Sequence, residues 1–444
     1  FMSVERVQQQ RTVYAPGLEV GKESNEFINV VHILAIHGWS VGDSAAVEVS
    51  TQFSTKARDT IREMLDERGM QGTTLKTTPL SGCGPLPGDI ENRQTIGDRV
   101  LGCLEELKAD GTIEELRKAD VVFVVSHSQG SVVGMVLVGT LIDAGALQPQ
   151  VPGVQRVCIM SMAGVFHGTH DKIAGNFLPS FWREASMELK LLRDPSSEIF
   201  RTYFLPAVTD ILKKGVLIVP ISSYNDRVVN ICSSLMDGVD HKNIVRALFV
   251  HPRYVESVKE EWHQRLIHPD DILLCLWILV VQMRNEGLFV DLARFCTNIQ
   301  IADQAGATLS EAGKVAVQSF LEMPSTSGET ILTSTLAAAT SFAFTFGKKA
   351  VENKELMGNT RRMARDSDAH SVIHQDPDVY RFGFSTLLSR FSYFEEHARE
   401  RDGTHELPSA TLRPSFNIEP ETEEDWLVLH QSLDAINAAG SESL

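Results

Sequence analysis

Apolar residues along this chain cluster in short β-branched runs, and stretches with helical spacing separate these runs. Continuous apolar runs of roughly four to eight residues are typical of strands that are buried on both faces of a sheet. We predict such strands at residues 28–36, 73–78, 155–162, 215–221 and 244–250, together with a central strand that starts at Val121.

Helical patterns fill the intervals between the predicted strands. One helix carries an apolar stripe and is stopped by Gly69, and residues 96–107 predict another. The stripe consists of Phe53, Ala57, Ile61 and Leu65. Because strands and helices alternate, the sequence predicts an α/β protein with a mostly parallel central sheet and helices on both faces.

Two long stretches interrupt this alternation. Residues 166–214 separate two strands, and we predict that they form a cap, because long structured excursions at such positions commonly cover an active site. Residues 252–365 have a mostly helical pattern and predict a second insertion. The predicted organisation is an N-terminal segment at 1–27, one domain at 28–400 and an acidic, Pro-containing tail at 401–444.

The composition is that of an ordinary globular protein, with 43% hydrophobic and 22% charged residues, and 444 residues suffice for a large core. Lys and Arg number 41 against 58 Asp and Glu, which gives a net charge of −17 with neutral histidines. Nucleic-acid-binding proteins need a basic surface, so this acidic balance argues against a nucleic-acid partner.

Cysteine usage and apolar runs predict an intracellular, cytoplasmic protein. The six cysteines are widely spaced and form no C-x-x-C pair, which favours buried reduced thiols, and the start of the sequence lacks an apolar signal segment. The longest strongly apolar run, 272–281, is too short to span a bilayer. Residues 331–346 predict a buried or interfacial helix, with membrane contact as the less favoured interpretation.

The most informative segment is the turn after the central strand. The strand runs into Ser126-His127-Ser128-Gln129-Gly130, and a buried-helix pattern follows directly. A nucleophilic serine in a strand–turn–helix elbow needs small residues two positions before and after it, because strand and helix pack closely around a strained backbone. Ser126 and Gly130 are small, which makes Ser128 the candidate nucleophile.

Asp226 is the candidate acid of a catalytic triad. A serine hydroxyl needs a base that takes its proton, and an acid must hold that base in one tautomer. In chains with this elbow the acid follows the serine and the histidine follows the acid. Asp226 lies in the loop after the predicted strand 215–221, followed by Arg227 and two valines. A helix N-cap is its alternative role.

Four histidines after the candidate acid stand at plausible places for the base. His370 precedes a predicted final helix, and the loop before such a helix is where this arrangement carries its histidine. His251 ends the last predicted strand, although the proline after it restricts its backbone. His268 and His374 are the remaining candidates.

The final helix is predicted from its start and its apolar spacing. Asp376 and Pro377 form a good N-cap and N1 pair. A stripe at helical spacing follows, made of Tyr380, Phe384, Leu387, Phe391 and Phe394.

An oxyanion hole requires two backbone N–H donors. We expect one from Gln129, directly after the nucleophile at a helix N-terminus, and one from Trp39 in the loop after the first long strand. Gly38 would let the backbone approach the site. His37 is expected to make a structural hydrogen bond and not to act as a base.

The sequence predicts no metal and no organic cofactor. His167, His170 and Asp171 form only a weak ligand pattern. The glycine-containing loop at residues 82–88 lacks the Gly-Lys-Ser/Thr of a phosphate-binding loop.

Together these segments resemble the α/β-hydrolase superfamily of serine esterases and lipases, and more narrowly a fungal lipase-like branch. The resemblance covers roughly residues 28–290 and 368–395. It is carried by His37-Gly38, the elbow at 126–130, the strand end at 161–164, and the segments 224–229, 243–249, 370–371 and 379–380. It implies Ser128 as nucleophile, Asp226 as acid and His370 as base, although Ala369 stands where glycine is usual.

We therefore expect a serine hydrolase that cleaves a carboxylic ester or related acyl bond through an acyl-enzyme intermediate. Its substrate would be a small-molecule or lipid-like acyl compound. An acyltransferase or thioesterase would use the same triad, and an inactive hydrolase fold that serves as an interaction module is an alternative from another class. The sequence leaves the oligomeric state open.

Overall fold

The computed structural model describes residues 13–14, 28–38, 43–82, 95–149, 155–169, 183–194, 196–224, 226, 228–250, 277–278, 280–285, 369–400 and 411–412. The strands are β1 (Val13–Tyr14), β2 (Val30–Ile36), β3 (Thr74–Leu80), β4 (Val121–His127), β5 (Arg156–Met162), β6 (Leu217–Ser223), β7 (Val239–Asp240), β8 (Ala247–Phe249) and β9 (Thr411–Leu412).

The helices are α1 (Asp43–Glu67), α2 (Ile96–Ala109), α3 (Thr112–Leu116), α4 (Gly130–Asp143), α5 (Arg183–Leu191), α6 (Leu205–Lys213), α7 (Ile231–Ser234), α8 (Ala369–Val372) and α9 (Pro377–Glu400). A π-helical turn, Phe200–Phe204, precedes α6, and a 3-10 turn, Ile373–Gln375, links α8 to α9. Residues 277–278 and 280–285 are also helical.

The main sheet has seven strands in the order β1-β8-β6-β5-β4-β2-β3. The six strands from β8 to β3 are parallel, and β1 pairs antiparallel with β8 at one edge. The predicted α/β architecture with a mostly parallel sheet is confirmed. Because parallel strands end on the same side, the residues after β2, β4, β5 and β6 meet along one edge of the sheet.

Helices cover both faces of the sheet and bury two separate apolar clusters. Along β4, Val122 and Val124 belong to one cluster, whereas Val121, Phe123 and Val125 belong to the other. This alternation is the period-two geometry of a strand, and it explains the continuous apolar run, since both faces are buried. Helices α2, α4 and α6 cover the first face, and α1 and α9 cover the second.

The predicted stripe of α1 is confirmed, because all four of its side chains are fully buried against the second face. Each such aliphatic or aromatic side chain contributes about 1.5–3 kcal/mol through burial.

The last predicted strand is shorter than expected. Of the run 244–250, only Ala247–Phe249 forms a strand, and Ile244 makes a single isolated bridge to Ile218. The ladder between β6 and this run is interrupted because Pro220 of β6 has no N–H to donate. On the opposite side of the run, the Arg246 backbone N–H donates to the Asn285 side chain at 2.8 Å and the Arg246 carbonyl accepts from it at 2.9 Å.

The two terminal segments each contribute a short strand to the fold. Strand β1 lies in the predicted N-terminal segment and extends the main sheet, and β9 lies in the predicted tail and pairs antiparallel with β7. Two-residue strands carry too little hydrophobic pattern to be recognised from sequence.

The predicted insertions fall partly within the described ranges. The end of the predicted cap contains α6, whose Val208, Ile211 and Leu212 are fully buried in the same cluster as α4. Helix α6 is therefore part of the layer that covers the sheet. Residues 286–365 of the second predicted insertion, and with them 331–346, lie outside the described residues.

In the described ranges no helix combines the length and the apolarity that a membrane crossing requires. Cys103, Cys158 and Cys232 are buried free thiols, as predicted, and burial raises the pKa of Cys158 well above its ordinary value. The other three cysteines lie outside the described residues.

Candidate active site

Ser128 stands between the end of β4 and the start of α4 with a φ of 54°. This left-handed conformation is costly for a residue with a side chain, so surrounding bonds must hold it. The Ser128 N–H donates to the Met162 carbonyl at 3.0 Å, and the Ser128 carbonyl accepts from Val165 at 3.3 Å. The end of β5 and the loop after it thereby hold both backbone polar groups of Ser128.

The residues two positions before and after Ser128 are small, and each is explained by a different neighbour. A Cβ on Gly130 would lie 2.2 Å from the His37 carbonyl oxygen, so no larger residue fits there. Ser126 replaces the glycine that is usual at the other position, and it is fully buried with its hydroxyl donating to the Met160 carbonyl at 3.1 Å. A serine is accommodated because the neighbouring strand supplies this acceptor.

Asp226 and His370 form a pair across 144 residues of sequence. The His370 Nδ1 lies 2.7 Å from Asp226 Oδ2, and the two side chains are 12% and 0% exposed. A carboxylate accepts a hydrogen bond, so Nδ1 carries the proton and Nε2 is left with a free lone pair. This tautomer is the one that a histidine needs to act as a general base.

The other carboxylate oxygen of Asp226 has a structural role. Oδ1 accepts from the N–H groups of Val228 at 2.7 Å and Val229 at 3.0 Å. Asp226 is not a helix N-cap, because the next helix, α7, begins at Ile231 and is capped by Asn230. Its Oδ1 bonds stabilise the loop, and its Oδ2 holds His370.

His370 lies in a helical segment, whereas the sequence analysis expected a loop before the final helix. Helix α8 and the 3-10 turn Ile373–Gln375 form two consecutive turns, and Asp376 then caps α9 by accepting from the Asp378 N–H at 2.9 Å. The predicted N-cap is confirmed. The Tyr380 hydroxyl donates to the His374 carbonyl at 2.6 Å, which ties the turns to α9.

His127, which the sequence analysis did not single out, packs against the candidate base. Its ring centroid lies 4.6 Å from that of His370, and its Nε2–H donates to the His370 carbonyl at 2.8 Å. Burial, and then the nearby rings of His370 and His374, lower the pKa of His127 well below its ordinary value, so the ring is neutral. Its position directly before Ser128 was the one available signal.

The other described candidate, His374, lies in different surroundings. The His374 ring contacts Phe53 at 4.6 Å between centroids, and burial is the main cause that lowers its pKa to about 4. His251 and His268 lie outside the described residues.

The loop after β2 passes directly beside the nucleophile. A Cβ on Gly38 would lie 2.7 Å from the Ser128 Cβ, which shows why glycine is needed at this close approach. Gln129 is fully buried at the N-terminus of α4, where its backbone N–H lies at the positive end of the helix dipole. Trp39, the other predicted donor, lies outside the described residues.

His37 makes a structural hydrogen bond, as expected. Its Nε2–H donates to the Ser81 carbonyl at 2.9 Å. Burial, and then the adjacent Arg99 guanidinium, lower the pKa of His37 to about 3, so it is neutral and holds its proton on Nε2.

The weak metal pattern contains one described residue, His167. Its Nε2 lies 2.5 Å from the Asp237 carbonyl, and its backbone N–H donates to the Ser233 hydroxyl at 2.9 Å. Among the described residues no group of three or more His, Cys, Asp or Glu could hold a metal ion. His170 and Asp171 lie outside them.

Residues 38–259 match the family model of the YMC0/YMC35 alpha/beta hydrolase domain, a match that spans half of the chain. The search of curated proteins gives no match. Among solved structures, phospholipase PlaB from Legionella pneumophila in complex with thio-NAD is 14% identical, with 47% of this chain and 44% of that chain covered at a TM-score of 0.32. The match thus spans less than half of the length of PlaB.

Two further solved structures are similar to this chain. A structure of the metagenome-derived lipolytic enzymes LipS and LipT is 15% identical, covers 54% of this chain and 89% of that chain, and gives a TM-score of 0.30. A hormone-sensitive lipase from a metagenome library is 13% identical, covers 54% and 78%, and gives a TM-score of 0.26.

Proposed function

Because the chain belongs to the YMC0/YMC35 alpha/beta hydrolase family, we propose that it is a serine hydrolase that cleaves a carboxylic ester or a related acyl bond. The observation that carries the proposal is the 2.7 Å contact between His370 and the buried Asp226, formed at the sheet edge where the strained Ser128 also stands. A positive φ at serine costs of order 1–3 kcal/mol, and strain of this kind clusters at functional sites.

In the proposed mechanism Ser128 Oγ attacks the acyl carbonyl while His370 Nε2 takes its proton. Asp226 holds the imidazole and stabilises the positive charge that forms on it. The carbonyl oxygen becomes an oxyanion, which accepts hydrogen bonds from the backbone N–H groups of Gln129 and Trp39. Collapse breaks the bond to the leaving alcohol, and His370 returns the proton to that alcohol.

Water then attacks the acyl-enzyme with His370 acting again as base, and the released acid frees Ser128. An acyltransferase would replace this water by an acceptor alcohol, and a thioesterase would release a thiol in the first step. The substrate class we propose is a small-molecule or lipid-like acyl compound, and no metal or organic cofactor takes part.

A fluorophosphonate probe tests the proposal directly, because it phosphonylates only an activated serine. We expect the wild-type protein to be labelled on Ser128 and the Ser128→Ala variant to be unlabelled. Ser131→Ala is the matched control, since Ser131 is a buried serine three residues further on, at the second position of α4, and its loss should leave labelling intact. A folded wild-type protein that takes up no probe would contradict the enzyme proposal and favour the inactive interaction module.

An ester-hydrolysis assay assigns the base. With a short p-nitrophenyl ester, we expect His370→Ala to lower kcat by roughly 10³-fold or more, as for other members of such triads, and His251→Ala to retain activity. Activity that survives in His370→Ala and disappears in His251→Ala would move the base to His251. Product analysis with an added short alcohol distinguishes hydrolysis from acyl transfer.

A further inference from the structure

Arg99 connects the two backbone segments on which the proposed oxyanion hole depends. It lies on α2 and is fully buried. One guanidinium nitrogen, Nη2, donates to the His37 main-chain carbonyl at 2.8 Å. The other, Nη1, donates to the Gln129 side-chain oxygen at 3.0 Å.

We infer that Arg99 is a positioning residue that fixes the oxyanion hole, an inference that rests on the proposed function. His37 and Gly38 lead directly to Trp39, one proposed donor, and Gln129 carries the other donor on its own backbone. A single guanidinium therefore holds both the backbone at His37, two residues before one proposed donor, and the side chain of Gln129, which carries the other.

The hydrogen bond between Arg99 and the His37 carbonyl has little room to adjust. The His37 carbonyl that Arg99 holds also lies against Gly130, where a Cβ would come within 2.2 Å of its oxygen. Gly38, the next residue, is also close to Ser128, since a Cβ on it would lie 2.7 Å from the Ser128 Cβ. The peptide after His37 is thus enclosed by the start of α4, the nucleophile and the guanidinium, and a displacement of any one of them moves the oxyanion site.

Helix α2 supports the same loop through a second residue. Glu106 Oε2 accepts from the Ser81 N–H at 2.9 Å, and the Ser81 carbonyl accepts from His37 Nε2. Helix α2 therefore holds His37 in two ways, directly through Arg99 and indirectly through Glu106 and Ser81. The geometry also requires arginine, because its planar fork donates to two acceptors in fixed directions, which an ammonium group on a flexible stem does not.

The test compares Arg99→Met and Arg99→Lys with Arg246→Met as a matched control. Arg246 is also a buried arginine that donates to main-chain carbonyls, those of Leu235, Met236 and Val239. We expect Arg99→Met to lower kcat on the short ester by about 10²-fold with little change in KM, since removal of one oxyanion donor costs roughly 10²–10³. Arg99→Lys should recover only part of this loss, and Arg246→Met should keep kcat within about twofold while it lowers the unfolding temperature.

Binding of a trifluoromethyl ketone, which forms a tetrahedral adduct with the serine, is the readout that a purely structural role would not change. Its inhibition constant should rise in Arg99→Met by the same factor by which kcat/KM falls, and it should stay unchanged in Arg246→Met.

A milder variant covers the case in which Arg99→Met fails to fold. Gln129→Ala removes one of the two acceptors of Arg99 and leaves the Gln129 backbone N–H in place. We expect about a tenfold loss in kcat, whereas Gln155→Ala should have no effect. Gln155 is a buried glutamine that donates to the carbonyls of Leu116 and Ala119 at 2.7 and 3.0 Å.

The outcomes separate this inference from the proposed function. If the wild-type protein is labelled by fluorophosphonate and both Arg99→Met and Gln129→Ala match its kcat and ketone affinity, the role of Arg99 is overturned and the hydrolase stands. If the wild-type protein is not labelled, the proposed function fails and the inference fails with it.

Discussion

At the scale of single residues, the two carboxylate oxygens of Asp226 have different partners. Oδ1 is held by two backbone N–H groups, which prevents the carboxylate from rotating, and this fixes the direction in which Oδ2 meets His370. An asparagine would have to turn its NH₂ group either toward these N–H donors or toward the Nδ1–H of His370. The first orientation places donor against donor, and the second forces the His370 proton onto Nε2, the tautomer that cannot act as a base, so the carboxylate is irreplaceable by its neutral analogue.

Buried neutral histidines also make stability depend on pH. His32 on β2 is almost fully buried, and its Nε2 lies 2.9 Å from the Thr78 hydroxyl. Burial is the main cause that lowers its pKa from 6.5 to about 4, against a smaller opposite effect of Glu115. Between these two values the unfolded chain binds the proton and the folded protein does not.

Stability should therefore be complete above pH 6.5 and should fall as the pH drops toward 4, by about 1.4 kcal/mol per pH unit for His32. We expect His32→Gln, which stays neutral, to reduce this slope by close to one proton, as measured by urea unfolding from pH 4.5 to 7.5. An unchanged slope in the variant would show that His32 titrates normally in the folded protein. His37, with a pKa of about 3, should preserve part of the acid sensitivity in both proteins.

At the scale of elements, the site is the meeting point of one strand end and one helix start. Helix α4 begins so close to the end of β2 that a Cβ on Gly130 would overlap the carbonyl oxygens of Ile36 and His37. This close packing places the N-terminus of α4 directly after Ser128. Most of the side chains of α4 are buried, so the helix cannot shift without disturbing the sheet below it.

Two glycines of α4 offer a matched test of this packing. A Cβ on Gly130 would lie 2.2 Å from a backbone oxygen, whereas a Cβ on Gly139 would meet only the Ile211 side chain at 3.6 Å. We expect Gly130→Ala to lose several kcal/mol of unfolding free energy together with activity, because backbone must move. Gly139→Ala should gain about 0.5–1 kcal/mol from helix propensity and retain activity. Urea unfolding and ester hydrolysis measure both effects, and equal behaviour of the two variants would contradict the steric argument.

At the scale of the whole molecule, helices on the two faces of the sheet position different residues of the candidate site. Helices α2 and α4, which carry Arg99 and follow Ser128, pack on one face, and α9, which follows His370, packs on the other. Helix α9 is anchored by burial and less by ion pairs, since those of Arg381 with Glu63 and Glu67 are exposed at the surface. Detachment of α9 would remove His370, the proposed base, and leave Ser128 in place.

Leucines on opposite faces test this division. Leu387 on α9 and Leu212 on α6 are both fully buried, each in a different cluster. We expect either change to alanine to cost about 2–5 kcal/mol. In Leu387→Ala, ester hydrolysis should disappear at a lower urea concentration than far-UV circular dichroism, because α9 opens locally. In Leu212→Ala the two transitions should coincide, and the same coincidence in Leu387→Ala would show that α9 does not open by itself.

The sequence alone determined the sheet, the order of its main strands along the chain and the elbow around Ser128. These features are local: β-branched runs, helical spacing and small residues at fixed offsets are decided by backbone sterics and burial within a few residues. The N-cap at Asp376 was recognised for the same reason, and so was the acid loop as a candidate.

Only the tertiary structure decided which histidine meets Asp226, which residue stacks on that histidine and which side chain holds the His37 carbonyl. The contacts of His370, His127 and Arg99 join residues that are far apart in the chain, and no local pattern encodes a partner at such a distance. They arise because the parallel strands bring their ends to one edge of the sheet, where helices from both faces add side chains. The sequence therefore specified the elbow around Ser128, and the fold selected the side chains that surround it.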